Sequence, residues 1–216
     1  MESFQAFVKA FSPGVGGYLF MWAILFFFVL MVAIAAERMY YILVRSNINA
    51  SRFMAEIRKL VINGDIKKAM NLCKAAGPKA LPEVTLAALA EADKKEFVDY
   101  RAIQNAVDEA TLEIIPRLTK RTHYLAMIAN VATLMGLLGT IFGLIQAFTA
   151  VSVSGAEASS NLAAGISIAM ITTYWGLVTA IPSIILYTVI NTKTNSIVDD
   201  IDEHSVKLIH LLTGSK

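Results

Sequence analysis

Three stretches of this chain run apolar for the length of a bilayer, and a polar block with a different rhythm separates the first two. A bilayer core is crossed by about 20 apolar helical residues. The stretches from Gly17 to Ala36, Tyr124 to Val151 and Leu162 to Ile190 meet that test. Within the block from Glu37 to His123, Phe53, Ile57, Leu60 and Val61 fall on one helical face, the pattern of a short amphipathic helix. Asn63 and Gly64 end it, Asp65 is placed to cap a second helix through Met70 and Cys73, and Pro82 is placed to open a third after Gly77 and Pro78. From about Glu96 the helical pattern runs into the second span with only Pro116 as an interruption, and beyond the third span Ile197, Ile201, His204, Leu208 and Leu211 recur at spacings of four and three. The pattern predicts an all-α membrane protein with three transmembrane helices, long extensions of the second and third, and a helical region between the first two.

Lys and Arg near the span ends orient such a protein, because they collect on the cytoplasmic side. Arg38 and Arg45 follow the first span, Arg117, Lys120 and Arg121 precede the second, and Lys193 follows the third, whereas the connection SVSGAEASSN carries neither. The expected layout is a periplasmic N-terminus at 1–16, spans at 17–36, 124–151 and 162–190, a cytoplasmic region at 37–123, a periplasmic loop at 152–161 and a cytoplasmic C-terminal helix at 191–216.

Composition sharpens the class. Hydrophobic residues make up 56% of the 216, charged residues 17%, and mean hydropathy is +0.58, which is membrane-like. A net charge of +2 is too small to suggest a nucleic-acid partner. The lone cysteine, Cys73, cannot form an intrachain disulfide and reads as structurally incidental.

The chemistry inside the spans is hydroxyl and glycine, without charge. An ionisable residue within a membrane is costly and marks ion movement, and none of the three spans contains one. If this chain takes part in ion movement, a partner must supply the titrating group. The second span instead carries Gly136, Gly139, Thr140 and Gly143 among its small residues, and the third carries Gly165, Thr172, Thr173, Gly176 and Ala180, with Pro182 following. Helix packing in lipid accounts for the glycines taken singly, while Thr140 and Thr173, both near mid-membrane, are placed to face a shared cavity. No phosphate loop, HExxH or paired-Cys spacing is present, so no enzyme activity, metal or cofactor is expected. Asn49-Ala50-Ser51 matches a glycosylation sequon on the expected cytoplasmic side. A non-conducting scaffold that recruits cytoplasmic partners, or less readily a small transporter, is the alternative reading.

ANVATLMGLLGTIFGLIQAF and, after the loop, GISIAMITTYWGLVTAIPSIILY strongly resemble the paired signature of the MotA/TolQ/ExbB proton-channel family, on its ExbB/TolQ branch. The resemblance extends to INGDIKKAMNLCKAAGPKALP and covers most of the chain. It implies an inner-membrane stator that converts the proton motive force into mechanical work on the envelope. It also implies a homopentameric ring around two copies of a single-span ExbD/TolR-like protein bearing the membrane aspartate, and a TonB/TolA-like protein beyond. Thr140 and Thr173 would line the ion path, Thr172 would add a hydroxyl, and Gly136, Gly139, Gly143, Gly165, Gly176, Ala180 and Pro182 would serve as packing and pore-wall residues between neighbouring subunits. Two positions depart from the family pattern: Ile168 stands where a glutamate is common, and Thr133 where a proline is usual.

Overall fold

The computed structural model describes residues 11–12, 16–46, 48–94, 99–153 and 158–214. Most of 1–16, the middle of the loop at 152–161, Glu96 and the Arg45 side chain lie outside them. The described residues form helices and turns without a strand: α1 (Tyr18–Tyr40), a π-helical turn (Tyr41–Arg45), α2 (Ala50–Ile62), α3 (Ile66–Ala75), α4 (Ala80–Asp93), α5 (Tyr100–Thr119), α6 (Thr122–Val153) and α7 (Ala158–Gly214). Three of these helical stretches are long and apolar enough to cross a bilayer. The chain separates into two compact units, one of residues 1–36 with 121–188 and one of 37–120 with 189–216.

The second unit is built from amphipathic faces. Phe53, Ile57 and Val61 of α2 are buried together with Ala50 and Met54, and α2, α3, α4 and α5 pack in succession along the chain. The Asn49 side chain accepts the backbone N–H of Arg52 at 3.1 Å, which satisfies one of the orphan donors at a helix start. Gly64 and Gly77 follow α2 and α3 with φ of +76° and +77°, the left-handed conformation that glycine adopts most easily. Asp65 begins α3 but leaves the backbone N–H groups uncapped, because its carboxylate pairs with Lys68 at 2.8 Å. Pro82 lies in the first turn of α4, where a missing N–H costs nothing. The C-terminal part of α7 contributes Ile197, Ile201 and Leu208, all buried.

The expected unbroken passage from the polar block into the second span is corrected. α5 runs straight through Pro116 and ends at Thr119, and α6 starts at Thr122. A proline removes only one helical hydrogen bond and the helix tolerates it here. The break is made instead by Lys120, with ψ of 133°, and Arg121, with φ of +64°. Non-glycine residues seldom adopt that left-handed backbone.

Arg38, which follows the first span, is only 5% exposed. Its guanidinium pairs with Glu37 at 2.9 Å, reaches the Arg117 carbonyl at 3.5 Å and lies 5.2 Å from the centre of the Tyr41 ring. The end of α1 is thereby tied to α5.

Cys73 is 2% exposed, and burial pushes its thiol up from 9.0 to about 12. Raising a thiol pKa in the folded state favours folding below the unfolded value, and that contribution is lost as pH rises from about 9 toward about 12. At pH 8 the folded chain should hold about a thousandfold less thiolate than the unfolded one. Iodoacetamide should therefore leave Cys73 unmodified until denaturant is added, and rapid labelling of the folded protein would contradict its burial.

Candidate functional site

The site lies within the first unit, where α6 and the first half of α7 run antiparallel at backbone contact. A Cβ added to Gly143 would stand 2.8 Å from both the Ala169 nitrogen and the Gly165 carbonyl oxygen. One added to Gly176 would stand 2.8 Å from the Ala132 carbonyl, and one added to Gly136 would meet Thr172, Thr173 and Gly176 at 3.2–3.3 Å. Gly165 faces Ala147 and Gly143, while Gly139 faces the Thr172 side chain. Ala129, Ala132 and Ala180 continue the contact as a buried cluster. Residue numbers rise along one helix as they fall along the other, which is the register of an antiparallel pair. Small residues permit this approach, and in lipid it is dispersion between close backbones that holds helices together. The small-residue stripes, expected to pack between neighbouring subunits, meet each other within one chain.

Two hydroxyls mark the middle of this seam. Thr140 Oγ1 hydrogen-bonds to Thr173 Oγ1 and donates toward the Gly136 and Ala169 carbonyls, each at 3.2 Å. Thr173 Oγ1 also lies 3.3 Å from the Gly136 carbonyl, so with two protons in all, one hydroxyl donates to the other while that other donates to a carbonyl. Each hydroxyl has one proton and two lone pairs, and both side chains are only part-buried. The pair therefore keeps acceptor capacity beyond its internal bonds. It can accept from a carboxylic acid or, by turning one proton outward, donate to a carboxylate.

Thr172 sits differently. It is 1% exposed, and its hydroxyl donates to the Ile168 and Ala169 carbonyls of its own helix at 3.1 and 3.0 Å. Packed on Gly139 behind the pair, it acts as a spacer between backbones. Pro182 lies inside α7, where its missing N–H frees the Val178 carbonyl. Ile168 points toward α1: its Cγ2 lies 3.0 Å from the position a Gly17 Cβ would take, beside Phe142. The place of the family glutamate is thus an apolar contact with the start of the first span.

A further polar bond across the helix pair has no signature in the sequence. Ser183, fully buried, donates to the Leu125 carbonyl at 2.7 Å. A serine within a small-residue stripe carries no sign that its partner is a carbonyl on another helix. Among the described residues no cluster of metal-binding side chains is found.

An α-helical membrane protein with a glycine-lined antiparallel pair and a mid-span hydroxyl pair in place of charge is the class these features define. A model of the MotA/TolQ/ExbB proton channel family matches residues 78–203. The chain belongs to that family. The biopolymer transport protein ExbB of Aquifex aeolicus is 36% identical over 85 residues, covering 39% of this chain and 56% of that protein. The Tol-Pal system protein TolQ of Haemophilus influenzae is 33% identical over 100 residues, covering 46% and 44% respectively. The chain spans about half the length of these curated relatives. The solved structure of C. jejuni MotAB matches with a TM-score of 0.55 over 98% of this chain and 73% of that one. At 14% identity that match concerns the fold alone.

Proposed function

We propose that this protein is the stator subunit of an ion-driven motor in the cytoplasmic membrane of a bacterium, with its N-terminus periplasmic and its C-terminus cytoplasmic. The observation that carries the reading is the Thr140–Thr173 hydroxyl pair in spans that hold no ionisable residue. Such a pair can bind a carboxylate or a carboxylic acid but cannot itself carry a proton across, so the titrating group comes from another chain. A single-span ExbD/TolR-like dimer, held within a pentameric ring of this protein, supplies an aspartate.

In the proposed cycle the charged aspartate is held by hydrogen bonds from the threonine hydroxyls. Protonation removes the charge, weakens that hold and lets the partner helix turn past the apolar wall to the next subunit. Each ion crossing releases about 2.3 kcal/mol per 100 mV of potential, so work on a TonB/TolA-like protein in the periplasm accumulates over several crossings. Thr140 and Thr173 are the ion-path residues, Thr172 and the glycines set their spacing, and Ala180 and Pro182 shape the same helix toward the cytoplasmic end.

Native mass spectrometry of the complex drawn gently from its own membranes tests the reading. The expected result is about five copies with a small single-span protein. A monomer or dimer, under conditions that keep other membrane complexes whole, would instead assign the chain to scaffolding.

A further inference from the structure

Tyr18, Tyr40, Tyr41, Tyr124 and Tyr187 stand near the ends of the spans and Tyr100 in the polar block, whereas Tyr174 alone falls in the middle of a span. The ends are where an aromatic ring with a polar tip is at home, between hydrocarbon and headgroups. Tyr174 lies about 18 Å of helix from Leu162 and about 24 Å from Ile190, at 1.5 Å per residue, so neither membrane surface of the expected layout is within reach of its hydroxyl. It is 62% exposed on the open wall of α7, among Met170, Leu177 and Ile181. Its ring meets that of Trp175 edge to face at 5.6 Å. Among the described residues nothing hydrogen-bonds the Tyr174 hydroxyl. Threonines of the same two helices return their protons to carbonyls within the pair, as Thr133 does to Ala129 at 2.9 Å and Thr179 to Trp175 at 3.0 Å. A phenol ring holds its hydroxyl too far from its own backbone to do the same. Hydrocarbon offers no partner either, and an unbonded hydroxyl there is costly.

We propose that the Tyr174 hydroxyl hydrogen-bonds the carboxyl group of the partner helix as that group crosses the wall between one Thr140–Thr173 pair and the next. The inference rests on the stator reading above and adds a residue to its ion path. Tyr174 follows Thr173 in the chain and stands about 100° round α7 from it, so the phenol projects from the open wall beside the pair. A phenol accepts from a carboxylic acid or donates to a carboxylate. In the cycle proposed above the acid crosses in its neutral form, and Tyr174 accepts from it. Without that oxygen, an acid leaving the threonines would cross a face of methionine, leucine and isoleucine with its own proton unbonded. Lipid tails neither donate nor accept, and the carboxyl group is the mid-membrane group that the reading requires and that the spans of this chain lack.

The test is made on the complex in its own membranes. Tyr174→Phe keeps the aromatic ring and its contact with Trp175 and removes only the oxygen. It should leave the copy number unchanged in native mass spectra and lower gradient-driven work about three- to tenfold, the range that one hydrogen bond sets. The second readout is contact, which a purely structural role would not produce. Tyr174→Cys, treated with a mild lipid-soluble oxidant, should form a disulfide with a cysteine put in place of the partner's membrane aspartate, and buried Cys73 stays silent. Full work in Tyr174→Phe overturns the inference, and Thr173→Val measured beside it shows whether the stator reading falls too. A partner that links to Thr173→Cys but not to Tyr174→Cys overturns the inference and leaves that reading standing. A partner that links to neither overturns both. Loss of assembly in Tyr174→Phe would give the hydroxyl to a neighbouring copy of this chain and overturn the inference as well.

Discussion

Thr173→Val should leave the assembled complex intact and lower ion-coupled work about ten- to hundredfold. Valine keeps the shape of threonine and removes only the hydroxyl, so the close approach of α6 and α7 around Gly136 and Gly139 survives. What is lost is the hydroxyl that partners Thr140 and lies beside the Gly136 carbonyl, the same group proposed to hold a charged carboxylate. A hydrogen bond to a charged group contributes about 1.5–3 kcal/mol, which sets that range. Thr173→Ser, which keeps the oxygen, should recover most of the activity. The measurement is envelope work driven by the gradient at matched protein levels, beside a count of assembled copies. Full activity in the valine variant would remove Thr173 from the ion path, and loss of assembly would reassign it to structure.

A large effect on stability is expected at Gly143, which meets Gly165 across the seam. Alanine there must fit a methyl group 2.8 Å from backbone atoms of both Gly165 and Ala169, and backbone cannot swing aside as a side chain can. Forcing extra volume into a packed interior costs about 1–3 kcal/mol, and here the helices must part to accept it. Gly136→Ala is the graded control, since its nearest neighbours stand at 3.2–3.3 Å and yield with a shift of tenths of an ångström. In detergent, Gly143→Ala should unfold about 5 °C or more below the parent, and Gly136→Ala at a temperature between the two. Equal stability for Gly143→Ala and the parent would mean the two backbones are not this close.

Much of the fold was legible because it rests on local signals. Long apolar stretches, the Phe53–Ile57–Val61 face and the glycines at 64 and 77 each write their consequence within a few residues. The break before the second span was not, because Pro116 is the louder local signal and the turn is made by an arginine with positive φ, a conformation no propensity assigns to arginine. A span end is where arginines belong, and nothing beside Arg38 in the sequence announces that it is buried. Its burial depends on Tyr41 and on a carbonyl 79 positions away. At the site, the residue types were visible and their register was not. Thr172 and Thr173 are neighbours in sequence, but a helix turns by about 100° per residue. One therefore meets Thr140 and the other is sealed against Gly139. Only the pairing of two helices decides which.

The way the glycines are spent also decides how the outside of the pair feels to anything that slides over it. With the small faces of α6 and α7 turned to each other, the surfaces left open are Leu134, Leu137, Ile141, Ile145 and Phe148 on one helix and Met170, Tyr174, Leu177, Ile181 and Ile185 on the other. Side chains of this kind hop between rotamers in picoseconds to nanoseconds when not confined, far faster than helices shift. The pair is thus rigid along its inner seam and yielding along its outer wall. In the proposed motor that is the construction of a bearing, in which a hard race carries a compliant lining and friction is set by the lining.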